Sequence, residues 1–147
     1  MYKRQIPVGE THASWGNIRI THVLNSGAAF GLGEKFTVFI TIFSMVIISA
    51  VASALWRTTS NAWATGLALI LGGAFGNLYD RLFRPPAAFS GHVIDFISVG
   101  QFPVFNVADS AVTIGVVIVL ICLLVGKKLT VSPAAEKTDA SSQVSHL

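Results

Sequence analysis

The sequence predicts an α-helical membrane protein with three spans and a small β region outside the bilayer. Three observations lead to that class. Of 147 residues, 52% are hydrophobic and only 12% charged, with mean hydropathy +0.66. Soluble domains carry about 25% charged residues, so a bilayer is the better-matched solvent. Residues 36–55, 62–79 and 110–126 are free of charge, and at a rise of about 1.5 Å per residue such helices cover most of a hydrocarbon layer of roughly 30 Å. Ahead of them, a stretch alternates with a period of two.

That stretch lies in a polar head, residues 1–35, which carries Lys3, Arg4, Glu10, Arg19, Glu34 and Lys35. Lys3-Arg4 leads into no apolar core, so the head is not a signal peptide. Ile18, Ile20, His22 and Leu24 alternate with Arg19, Thr21 and Val23, which predicts a strand. His22 is expected simply to ride on it. Asn25-Ser26-Gly27-Ala28-Ala29-Phe30-Gly31 then reads either as a Gly-rich turn or as an edge that lets a peptide backbone approach.

The first span, 36–55, ends in Trp56 and Arg57, an interface anchor and a positive charge. After a short polar loop the second span, 62–79, contains Gly66, Gly72, Gly73 and Gly76, a composition suited to close helix packing. It runs into Asn77-Leu78-Tyr79-Asp80-Arg81, and Arg84-Pro85-Pro86 breaks the helix. Residues 85–109 read as a loop leading to the third span, 110–126, which Lys127 and Lys128 close. Residues 1–128 form one membrane-embedded unit in this reading. Residues 129–147, rich in Ser, Ala and Thr, read as a disordered cytoplasmic tail.

Arg57 and Lys127-Lys128 fall on one side of the membrane, which the positive-inside rule makes the cytoplasm. The net charge of +3 therefore speaks of topology rather than of nucleic acid. The strand, Asp80-Arg81, Asp95 and Asp109 then gather at the outer surface. A head that begins outside, with neither signal peptide nor preceding span, predicts a missing upstream segment.

Asp95 sits within Val93-Ile94-Asp95-Phe96-Ile97 and Asp109 within Phe105-Asn106-Val107-Ala108-Asp109. A carboxylate beside lipid is costly and marks a functional site by default. Two of them close together share one proton, so one can act as base on water while the other protonates a carbonyl or leaving amine. Three other readings stay open on the residues alone. Each acid could pair with a base or cap a helix, with Asp109 as N-cap of the last span. Asp80, Arg81, Asp95 and Asp109 could line the polar path of a non-enzymatic channel or transporter subunit. The Gly-rich span could pack on another protein. Cys122 reads as apolar filler. His12, His22, His92 and His146 have no ligand-like spacing, so no metal or cofactor is expected, and His92, three residues before Asp95, reads as a solvated loop residue.

Asn25-Ser26-Gly27-Ala28-Ala29-Phe30, the stretch Gly72–Arg81, Val93-Ile94-Asp95-Phe96 and Phe105–Ser110 together resemble bacterial lipoprotein signal peptidase (signal peptidase II). The resemblance covers about Ile6 to Lys128. It implies an intramembrane aspartyl protease that cuts signal peptides from diacylglyceryl-modified prolipoproteins, just before the lipidated cysteine. It implies four membrane helices in the family, the first of which this chain lacks, with a β-cradle and a periplasmic loop or helix over the site. Asp95 and Asp109 correspond to the catalytic pair. Asn25, Asn77, Asp80, Arg81 and Asn106 fall at the family's other polar positions: Asn25 holding substrate backbone, Arg81 bracing the site in a pair with Asp80 or through hydrogen bonds, Asn77 and Asn106 orienting the acids. A monomer in the bacterial inner membrane, with lipidated substrate and membrane lipid as partners, is the expected setting.

Overall fold

The computed structural model describes residues 7–27 and 33–130. The chain runs β1 (Thr11–Trp15), β2 (Ile18–Asn25), α1 (Gly33–Arg57), α2 (Asn61–Phe83), β3 (Val93–Val99) and α3 (Val107–Leu124). The three helices are each long and apolar enough to cross a membrane, and the strands form one antiparallel sheet in the order β1-β2-β3. The architecture is therefore the expected one, three apolar helices plus a small sheet.

The sheet is larger than the sequence pattern indicates. Residues 93–99, read above as loop, form β3 and pair with β2. The period-two signal is absent there because β3 is apolar on both faces, Val93, Ile97 and Val99 on one and Ile94 and Phe96 on the other. β1 is a short polar edge strand that gives no apolar alternation either.

The side assignment in β2 also changes. Ile20 pairs with Ile97 and Val23 with Asp95, so three steps along β2 match two along β3, a β-bulge at Thr21-His22. Ile18, Ile20, Val23 and Asn25 thus share the face of Asp95, while Leu24, paired with Ile94, joins the opposite one. A bulge next to a functional site re-aims side chains in this way.

α2 and α3 pack along most of their length because glycines let the backbones touch. A Cβ on Gly73 would collide with the Ala108 carbonyl, and one on Gly115 would lie 2.6 Å from the Gly66 carbonyl. At the far end of the bundle Trp63, Leu67 and Cys122 form an apolar core, and Trp63 Nε1 donates to the Lys127 carbonyl at 2.8 Å. Thr58 Oγ1 donates to the Leu129 carbonyl at 2.7 Å, so the segment expected to be tail is fastened at its first residue. Beyond Thr130 it lies outside the described residues, as do Ala28 to Leu32 of the Gly-rich segment.

The opposite end carries the polar residues. α1 starts there, α2 ends there and α3 starts there. Thr41 Oγ1 donates to the Phe89 carbonyl at 2.7 Å and Thr37 Oγ1 to the Ser26 carbonyl at 2.8 Å. Both threonines are fully buried, so these bonds tie α1 to the end of β2 and to the 85–92 connection.

Candidate active site

Asp95 stands on β3 and is 2% exposed. Its two oxygens are each satisfied by an amide: Asn25 Nδ2 donates to Oδ2 at 2.8 Å and Asn106 Nδ2 to Oδ1 at 2.8 Å. Asn25 reaches it because the bulge turns the end of β2 inward. Its own side-chain oxygen accepts from the Gly27 amide at 2.7 Å, closing a tight turn with Gly27 at φ 71°. A Cβ there would also press on Ile40 at 2.9 Å. The Gly-rich segment is thus a turn as far as it is described. Burial pushes the Asp95 carboxyl above the usual carboxylate range; the bonds from Asn25 and Asn106 pull it back, the negative charge of Asp109 raises it and the Arg81 charge lowers it.

Asp109 occupies the first turn of α3, but not as its N-cap. The N-cap is Asn106, whose Oδ1 accepts from the Asp109 amide at 3.1 Å while Asp109 Oδ2 accepts from the Asn106 amide at 3.0 Å. This reciprocal capping box satisfies two helix-end donors at once. Asp109 Oδ1 also accepts from Asn77 Nδ2 at 2.7 Å, and Asn106 Nδ2 lies 3.1 Å from Asn77 Oδ1. Asn106, 5% exposed, therefore touches both acids and links two carboxylates that are remote along the chain.

Arg81 lies beside this network. One of its terminal nitrogens is 3.5 Å from the Asn77 carbonyl, and Nε is buried without a hydrogen-bond partner among the described residues. The charges of Asp109, Asp95 and Asp80 all act on its guanidinium. Of the two modes expected for it, a pair with Asp80 or hydrogen bonding, the pair is not formed among the described residues and the bond to the Asn77 carbonyl is. Asp80 Oδ1 instead accepts from Arg84 Nε at 2.6 Å, and Oδ2 from the Ile94 amide at 3.3 Å. Asp80 thus fastens the end of α2 to β3. Arg84 was legible as an i,i+4 partner of Asp80 on the same helix face, but its place before two prolines directs attention to the helix break.

The five residues Asn25, Asn77, Asp95, Asn106 and Asp109 form one hydrogen-bonded network, with Arg81 against it and Asp80 bracing it from behind. Two residues that support it carry no motif signal: Arg84, and Thr37, whose hydroxyl holds the residue after Asn25. Two cavities adjoin the network. One, of about 460 Å³, is lined by Phe102, Phe105 and Ile114 with Asp109, Ser110 and Thr113. The other, of about 270 Å³, is lined by Asn77, Asn106 and Asp80 but by neither Asp95 nor Asp109.

A family model described as Signal peptidase (SPase) II matches residues 2–125. The lipoprotein signal peptidase of Streptomyces coelicolor is 45% identical over 104 residues, which are 71% of this chain and 51% of that protein. That of Mycobacterium leprae is 44% identical over 106 residues, 72% and 53% of the two chains. The chain thus spans about half the length of these curated relatives. Two solved bacterial membrane enzymes, determined by the in meso method, share the fold at TM-scores of 0.69 and 0.71 with 31% and 30% identity, covering 82% of this chain and 76% and 79% of theirs. With the network and fold in place, and the family model matching residues 2–125 of its 147, the chain belongs to the signal peptidase II family.

Proposed function

We propose that the protein is an intramembrane aspartyl endopeptidase that removes signal peptides from diacylglyceryl-modified prolipoproteins, cutting before the lipidated cysteine. The observation that carries this reading is the bridge through Asn106. It holds two carboxyl groups from different elements in one network at the end of an apolar bundle.

In this mechanism Asp95, which burial keeps protonated to higher pH than an ordinary carboxyl, is the acid. Asp109, more open and facing the apolar cavity, is the base. Asp109 takes a proton from water as the water oxygen bonds to the scissile carbonyl carbon. Asp95 gives its proton to the carbonyl oxygen. On collapse of the tetrahedral intermediate one hydroxyl returns its proton to Asp95, the C–N bond breaks, and the proton on Asp109 passes to the leaving amine.

Asn77 and Asn106 orient the acids. Asn25 and Arg81 hold the peptide backbone, the latter with a buried guanidinium that lacks a full set of acceptors. The groove walled by Phe102, Phe105 and Ile114 suits a substrate that slides in from the bilayer with its acyl chains. Arg57 and Lys127-Lys128 at the far end of the bundle support a reading in which that end faces the cytoplasm and the site lies at the outer face of the inner membrane. The protein acts as a monomer in this scheme.

The test is processing of a lipidated prolipoprotein by membranes containing Asp95→Asn or Asp109→Asn. Each variant is expected to insert normally and to leave the precursor uncut. Cleavage by either one at the parental rate excludes the acid pair.

A further inference from the structure

Hydrolysis within a bilayer needs water at the same moment that a lipidated peptide fills the apolar groove. The groove offers water little: Phe102, Phe105 and Ile114 wall it, and its only ionisable group is Asp109. The second cavity has apolar walls too, at Ile94, Phe96 and Val107, but carries more hydrogen-bonding groups. It is lined by Asn77, Asp80, Arg84 and Asn106 among others, groups with free donor or acceptor capacity beyond their mutual bonds. Its volume of about 270 Å³ exceeds the ≈ 30 Å³ share of one liquid water several times over, and a held water needs only two to four polar partners.

Its position relative to the acids is equally specific. Ile94, which points away from the Asp95 face of β3, forms part of its wall. The Asn77–Asn106 amide pair lines it, and the same two amides donate to Asp109 and Asp95. The pair therefore separates the cavity from both carboxyl groups by the thickness of one side-chain amide.

We infer that this rear cavity is the route by which water, and the protons exchanged with it, reach the acid pair while substrate occupies the groove. Asn77 and Asn106 form its inner gate and Asp80–Arg84 its polar mouth. The inference rests on the proteolytic reading for the identity of the reaction. Its own content is a second, hydrated access path on the far side of the amides.

Two measurements test it. Ile94→Cys places a thiol in the cavity wall. In membranes of the Asp95→Asn variant, it is expected to react with a small charged methanethiosulfonate reagent, and to react equally fast after saturation with a synthetic diacylglyceryl-cysteine peptide. Ser110→Cys in the groove is expected to be shielded by the same peptide. The chain without either substitution gives the background from Cys122. An Ile94→Cys thiol that is unreactive, or that the peptide protects as it protects Ser110→Cys, overturns the inference, and neither result depends on any cleavage.

Val107, 63% exposed at the cavity rim, supplies the kinetic arm. Val107→Trp is expected to lower kcat severalfold with KM unchanged, and Val107→Ala to leave both at the parental values. Loss confined to KM, or full activity in the tryptophan variant, counts against the rear route. Labelling as expected together with full cleavage by Asp95→Asn would instead remove the proteolytic mechanism and leave the hydrated path standing.

Discussion

Asn106 and Asp109 hold one another by two reciprocal hydrogen bonds, 3.0 and 3.1 Å long, across the first turn of α3. The remaining amide protons of Asn106 reach Asp95 and Asn77. One asparagine is thus both the cap of a membrane-embedded helix and the spacer between two acids, and the two duties separate by substitution. Asn106→Ala loses the cap, at about 1 kcal/mol, and removes a donor from buried Asp95, at about 1–3 kcal/mol. Asn106→Ser restores a capping oxygen but no amide. The serine variant is expected to melt above the alanine variant by the cap's share, with cleavage lost in both; a thermal shift series in detergent beside a processing assay reads the two effects.

The raised position of Asp95 has a defined sign in stability. Its folded carboxyl binds a proton more tightly than the unfolded one. Between the ordinary carboxylate value and the raised one, the native state keeps a proton that the unfolded chain has released. Stability therefore falls as pH rises through that window. Asp95→Asn is expected to remove this fall, seen as a flatter melting temperature against pH.

Activity should follow the same group. Asn25 stabilises the charged form of Asp95, so Asn25→Ala drives the carboxyl still higher. The alkaline fall in kcat/KM, where the pair loses its last proton, is expected to move to higher pH in this variant, whatever the loss of rate. A limb that stays in place, or moves down, separates Asp95 from that proton.

Neighbouring glycines in α2 should differ sharply. A Cβ on Gly73 runs into the Ala108 carbonyl, whereas one on Gly72 meets nothing within 4 Å. Gly73→Ala is expected to force α2 from α3, drawing Asn77 off Asp109 and abolishing processing. Gly72→Ala is expected to keep full activity and to gain up to about 1 kcal/mol from helix propensity. Paired melting curves and processing assays check both.

Thr37 is a positioning residue on the far side of the site. Thr37→Val removes the hydroxyl that donates to the Ser26 carbonyl, at about 0.5–1.5 kcal/mol for the lost bond. Because Ser26 adjoins Asn25, the variant is expected to show the alkaline displacement of Asn25→Ala in weaker form, and Thr37→Ser to restore the parental profile.

The helices were legible because bilayer solvent writes long uncharged runs into a chain, and Asp95 and Asp109 stood out because apolar neighbours make a carboxylate conspicuous. The sheet was harder to read. β3 is apolar on both faces, so Val93–Val99 gave no alternation, and Asp95 was expected on a loop. In β2 the alternation was visible, but a bulge of one residue reverses every assignment after Ile20, and only the pairing with β3 reveals it. For Arg81 the resemblance left a pair with Asp80 or hydrogen bonds open, and helix geometry decides against the pair by giving Asp80 to Arg84, four residues on and on the same face.

The contact of α2 with α3 through Gly73 and Gly115 has a structural corollary. Main chains that approach this closely at two separate turns leave no room for a side chain between α2 and α3 at Gly73 and Gly115, so this seam stays closed only while both positions are glycine. The short bend from Gly100 to Phe105, exposed at Phe102, is held to the sheet by backbone bonds from Gly100 to Asn17, from Phe102 to Val99 and between Phe105 and Ile97, so the groove wall it forms is anchored to the same sheet that carries Asp95.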